Sequence, residues 1–203
     1  MRKLWRILVA AVVATGLSAS PAAGASPRIE SRLLQEFWTY ALETPVAENP
    51  FTLGTACVPL RRDVVLPFAT LDGGPLTCTV TARTRVFVTV INWECSTSEN
   101  PTIGGSPREL RSCARANVDA YPVHTLTLDG RSVPQTRVET HPISVHFPPD
   151  NVLGTSDRHA LSVGVAWVAL LPQLRPGRHT IVIHDSGPTV DPVDSVTTIV
   201  VSR

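Results

Sequence analysis

The chain has 203 residues, 43% hydrophobic and 17% charged, which is enough apolar material for a core and too little charge for a disordered acidic chain or a coiled coil. Its 18 basic and 17 acidic residues include Arg2, Lys3 and Arg6 in an expected removable leader, and the remaining 15 against 17 give a net charge of −2, which excludes a basic nucleic-acid binder. Proline supplies 17 of the 178 residues after that leader and interrupts helical patterns too often for long helices.

Residues 1–25 read as a signal peptide: a basic start, an apolar run from Ile7 to Leu17, and Ala23-Gly24-Ala25 before Ser26. The apolar run stops at Gly16, Ser18, Ser20 and Pro21, short of the roughly 20 residues a membrane span needs. Residues 26–203 are expected to form a single exported domain with no membrane span, and no cysteine near the cleavage site offers a lipid anchor.

From 28 to 41, Ile29, Leu33, Phe37 and Tyr40 recur at helical steps, with Leu34 and Trp38 widening the stripe, so an amphipathic N-terminal helix is predicted at the periphery of the fold. Pro45 and Pro50 end it and open an irregular stretch through Leu60. Then the period becomes two. Strands are predicted at 64–70, 77–82, 85–92, 123–128, 133–140, 143–147, 161–171, 178–184 and 195–201, punctuated by turn residues such as Asp72-Gly73-Gly74-Pro75 and Asp129-Gly130. A short second helix is predicted from Ser106 to about Asn117, because Ser106-Pro107-Arg108-Glu109 sets a capping hydroxyl, a first-turn proline and a reciprocal glutamate in order. This pattern predicts a mainly β fold: a two-sheet antiparallel β-sandwich, immunoglobulin-like or jelly-roll-like. In the 161–171 strand, the large side chains from Leu161 to Leu171 are expected to face the core.

Cys57, Cys78, Cys95 and Cys113 are too widely spaced for a zinc site and too far apart for a catalytic dithiol, so in an exported chain they read as two structural disulfides. The pairs Cys57–Cys78 and Cys95–Cys113 each close a loop carrying its own turn residues, and the second tethers the short helix. No metal or cofactor is predicted. The histidines, at His141 and His146 or His179 and His184, are spaced to point to opposite strand faces, while His124 and His179 share apolar faces and read as buried, hydrogen-bonded core residues. His184-Asp185-Ser186-Gly187-Pro188 superficially resembles a protease nucleophile loop, but no partner segments precede it, and it reads as a turn after a strand. Candidate binding residues are Glu94 at a strand end, Asp150 and Asn151 after two prolines, and His179; Arg111 and Arg115 are the cations expected to pair with Glu94. No catalytic residue is assigned.

Several strings occur together in one order: Cys57, Cys78-Thr79-Val80, Asn92-Trp93-Glu94-Cys95-Ser96-Thr97, Leu128-Asp129-Gly130, Pro148-Pro149-Asp150-Asn151 and Pro176-Gly177-Arg178-His179-Thr180-Ile181. In these the chain resembles a family of uncharacterised exported bacterial proteins, although the stretch from Arg61 to Thr70 departs from that pattern. The resemblance implies export and supplies no activity. Sequence alone favours a non-catalytic binding or structural protein of the cell envelope or extracellular medium, its partner an unidentified ligand there; the rival is a secreted hydrolase or other enzyme with an unrecognised site built from Glu94, Asp150 and His179.

Overall fold

The period-two runs fold as strands, and helices form over the predicted 28–41 stripe and after the Ser106 cap; of the stripe, Leu33, Leu34, Phe37 and Trp38 are buried, while Ile29 and Tyr40 are exposed. The computed structural model describes residues 26–69, 74–99, 104–188 and 190–203. The expected leader, 1–25, and Asp72 and Gly73 of the first predicted turn lie outside the described residues. In chain order the elements are α1 (Pro27–Glu43), a 3-10 turn (Val46–Glu48), α2 (Pro50–Leu53), β1 (Thr55–Arg61), β2 (Val64–Ala69), β3 (Leu76–Thr81), β4 (Arg85–Ser96), α3 (Pro107–Asp119), β5 (Val123–Leu128), β6 (Arg131–Ser132), β7 (Thr136–Glu139), β8 (Ile143–His146), β9 (His159–Leu171), β10 (Gly177–Gly187) and β11 (Val190–Ser202). No described helix is long and apolar enough to cross a membrane.

The strands make two sheets. The first runs β1-β2-β4-β9-β7, with β8 also paired to β9, and the second runs β3-β11-β10-β5-β6. The expectation of wholly antiparallel sheets is corrected at two places, because β2 and β4 run parallel, as do β3 and β11. The cause is connectivity: the chain leaves β2 for the second sheet, forms β3 there, and returns to lay β4 beside β2 in the same direction. The β1 strand overturns the irregular reading of 55–60; Pro59 sits in a strand at the sheet's edge, where a missing N–H costs no ladder bond.

The first sheet is a middle layer. Against one face lie Leu33, Leu34, Phe37, Trp38, Ala41 and Leu42 of α1, packed with Val64, Leu66, Phe68, Phe87, Ala166 and Val168. The helix is outermost, as expected, yet its inner face is wholly buried, so it is part of the core. Against the other face lies the second sheet, where Val86, Val88, Ala169 and Leu171 meet Cys78, Leu126, Ile181 and Ile199. Further along that face α3 sets Leu110, Ala114 and Val118 on Val163 and Val165. Both sides of β9 are therefore buried, including Ser162, Gly164 and Ala166 on the side expected to face away from the core.

Both predicted disulfides are present. Cys57–Cys78 ties β1 to β3 and so joins the two sheets, while Cys95–Cys113 ties the end of β4 to α3. Each restricts the unfolded chain, by about 3 kcal/mol for loops of this length. The start of α3 also holds as read: the Ser106 hydroxyl accepts from Glu109 N, and the Glu109 carboxylate accepts from Ser106 N at 3.0 Å. Ser106→Ala is expected to lower stability by about 1 kcal/mol through loss of that cap. Denaturant unfolding checks this, and an unchanged midpoint would remove Ser106 as the cap.

Candidate functional site

Strand β4 changes character half-way. It pairs with β2 only at Val64↔Arg85 and Val65↔Val86, after which the two strands part. Its pairing with β9 shifts register between Thr89 and Ile91, leaving Val90 as a bulged residue. A bulge inserts one residue and so exchanges the two faces of everything beyond it. Before it, Phe87 and Thr89 share the α1 side with Leu170 and Val168; after it, Asn92 and Glu94 do, opposite Ala166 and Gly164, and Cys95 is turned to the side of α3. Without the bulge Glu94 would share a face with Val86 and Val88, and Cys95 would point away from Cys113.

Where β2 and β4 part, a cleft of about 430 Å³ opens through the first sheet. Residues 89–94 line it without a gap, although side chains alternate along a strand, so this wall is the edge of β4 itself. The α1 side adds Trp38, Leu42 and Phe51, β2 adds Phe68 and Ala69, and the second sheet adds Ile183, Asp185, Val193, Ser195 and Thr197. Trp38 stacks on Phe51 at 5.8 Å, and Phe51 meets Phe68 edge-on at 4.7 Å. Two local devices place this wall. Asn49 is fully buried; its Nδ2 donates to Ala41 O and Thr44 O at the end of α1 while its Oδ1 accepts from Phe51 N, fixing α2 against the helix. Gly164 lets the Trp38 indole lie directly on β9, since a Cβ there would come within 2.5 Å of Trp38 Cδ1.

Three acids reach the cleft: Glu94, Glu99 and Asp185. Glu94 is 4% exposed, and its Oε1 accepts from the Ser162 hydroxyl at 2.5 Å. Burial, reinforced by the nearby Glu99 charge, pushes its carboxyl up from the ordinary 4.5 to about 8, so at neutral pH it is mostly protonated. Asp185 is 5% exposed, and burial pushes it up to about 7; the adjacent His184 opposes that shift and Asp194 adds to it. Glu99 stands at the mouth, accepting from Ser96 N at 2.8 Å, and desolvation by the cleft wall raises it too. Asp185 Oδ1 and Trp38 Nε1 are buried with no hydrogen-bond partner among the described residues.

Of the candidate binding residues named from sequence, only Glu94 lines the cleft. Arg111 and Arg115, its expected partners, bind Glu139 instead, at 3.1 and 2.6 Å. Asn151 is buried and ties its own loop, donating to Pro148 O and Thr155 O. Asp150 is exposed and holds Val46 N through its main-chain carbonyl, so this loop serves the cleft only through Val152 and Leu153. His179 is half-buried rather than a core residue: Nδ1 pairs with Asp129 at 2.7 Å and Nε2 with Arg175 O, and the Asp129 carboxylate raises its pKa. His124 is likewise half-buried, against Trp167 and Gln135. Ser186 lies within β10, not in a turn. The constellation of Glu94, Asp150 and His179 is thus not assembled in the cleft. Asp185 and Glu99 were missed, Asp185 because it stood inside the string read as a turn around Ser186. Among the described residues no group of three or more His, Cys, Asp or Glu side chains is placed to hold a metal ion.

No family model matches the chain, and no curated protein matches it. Among solved structures, the solution structure of amebosin is similar at 10% identity over 63% of this chain and 88% of that one, with a TM-score of 0.19. The crystal structure of the cysteine protease inhibitor EhICP2 from Entamoeba histolytica is similar at 9% identity over 62% and 84%, with a TM-score of 0.18. Backbones that superpose this poorly carry no argument about fold or function.

The raised acids have a direct consequence for stability. A carboxyl whose folded pKa exceeds its unfolded value binds its proton more tightly in the folded state, so its contribution is full below the unfolded pKa and is lost as pH climbs through the folded one. For Glu94 that window runs from 4.5 to about 8. Asp185 and His179 slope the same way. Unfolding free energy is therefore expected to fall between about pH 5 and pH 8, and Glu94→Gln to flatten much of that fall. Denaturant unfolding across this range checks it; an equal slope in the variant would contradict the assignment.

Proposed function

We propose that this is an exported, non-catalytic binding protein whose cleft between β2 and β4 takes a small, mainly apolar ligand in the cell envelope or extracellular medium. The observation that carries the reading is the cleft itself. Its volume lies in the range of about 300–1,000 Å³ typical of small-molecule sites. Its walls are aromatic and aliphatic, with a few convergent polar groups to orient what enters. Export is supported by the leader-like residues 1–25, by the resemblance to exported bacterial chains, and by two disulfides, which persist in oxidising compartments.

Titration of the mature chain with the neutral aromatic probe N-phenyl-1-naphthylamine is expected to give a saturable, one-to-one rise in fluorescence. Ala69→Trp, which fills the cleft from the end of β2, is expected to weaken that binding by about tenfold or more while cooperative unfolding is retained, a loss of at least about 1.4 kcal/mol. Failure to saturate, or equal binding by a folded Ala69→Trp variant, would remove the cleft as the site.

A further inference from the structure

Resting on that reading, we infer that the ligand of the cleft is an organic cation, an ammonium group on an aromatic or aliphatic body, with its charge held against Asp185. Three acids line the cleft and, among the described residues, no arginine, lysine or histidine does. Outside the cleft the more exposed acids have cations: Glu36 binds Arg61, Asp63 binds Arg85, and Glu139 binds two arginines, while Glu30, buried under α1, is held by Leu170 N without one. The cleft brings two buried carboxyls without a cation, Glu94 and Asp185, to one opening.

Asp185 carries the inference furthest. It is nearly fully buried, faces the cleft, and has an oxygen with no hydrogen-bond partner among the described residues. A buried carboxylate left so is costly, and a bound N–H donor bearing positive charge removes the cost. The groups around it do not fill that role. His184, its neighbour on β10, is engaged with Asp194 of β11 at 2.7 Å; His124, at the opposite register position on β5, bonds Gln135; Glu94 and Glu99 on the first-sheet side are acids themselves. The remaining wall also favours a cation with an apolar body. Trp38, Phe51, Phe68, Trp93 and Tyr121 line it, and a substituted ammonium sheds water more readily than a bare metal ion while gaining from aromatic neighbours.

Two probes with one skeleton test this. Phenethylamine and 2-phenylethanol differ at the ammonium and hydroxyl, and calorimetry on the mature chain measures both. At about pH 8.5, above the values of both Asp185 and Glu94, the amine is expected to bind about tenfold or more tightly than the alcohol. At about pH 5, where Glu94 and Asp185 are protonated, the preference should fall towards unity. Asp185→Asn is expected to abolish the preference at the higher pH and Glu94→Gln to reduce it, whereas Asp129→Asn, an acid on the distant β5–β6 turn, should keep it. Equal binding of amine and alcohol at about pH 8.5, or a preference that survives in both cleft variants, would overturn the cation assignment while leaving the cleft as an apolar site. Binding of neither probe would overturn the cleft reading as well.

Discussion

One inserted residue, Val90, governs the arrangement of everything around it. Because side chains alternate along a strand, the bulge exchanges the faces of β4 for its whole second half. That exchange sends Glu94 to the side of α1 and Cys95 to the side of α3, where Cys113 is waiting. Just before the bulge, β2 has already left β4, so the second half of β4 has a ladder on the β9 side only. The edge that β2 vacates becomes the floor of the cleft. The disulfide and the buried acid thus share a single backbone cause, and the cleft opens beside it where β2 departs.

The layers on either side keep that opening from collapsing. On one side the aromatic stack of Trp38, Phe51 and Phe68 is held by Asn49 and by the absence of a side chain at Gly164. On the other, β10 and β11 present Ile183, Asp185 and Val193, and the Cys57–Cys78 bridge fastens the two sheets near β1 and β3. Interiors pack densely and tolerate few voids, so an opening of this size persists only because the layers on both sides of it are held apart.

Much of the scaffold was legible in the sequence, and the reasons are local. The period-two runs, the N-terminal helix with its buried Leu33, Leu34, Phe37 and Trp38, the cap at Ser106 and the disulfide pairing each depend on residues close together in the chain. What was not legible depends on crossings between layers. The parallel pairings arise because β3 belongs to the other sheet, and no turn residue encodes that. β1 was hidden by Pro59, which demotes a strand reading yet is tolerated at an edge. Glu94 was chosen, but as a solvated or arginine-paired acid, because a bulge in an unbroken run of β-formers from Arg85 leaves no mark. For the Trp38 contact there was a signal: Ser162, Gly164 and Ala166 make a row of small residues on one face of β9, which is what a close-packed helix requires.

The central claim, that the opening beside the β4 bulge is the binding site, is tested most directly by methyl-detected NMR of the mature chain titrated with a neutral aromatic probe. The account expects shifts concentrated on Val90, Ile91, Val152, Leu153, Ile183 and Val193, with Val58, Val118 and Val145 unmoved. Shifts centred on those last three, or none at saturating probe, would contradict it.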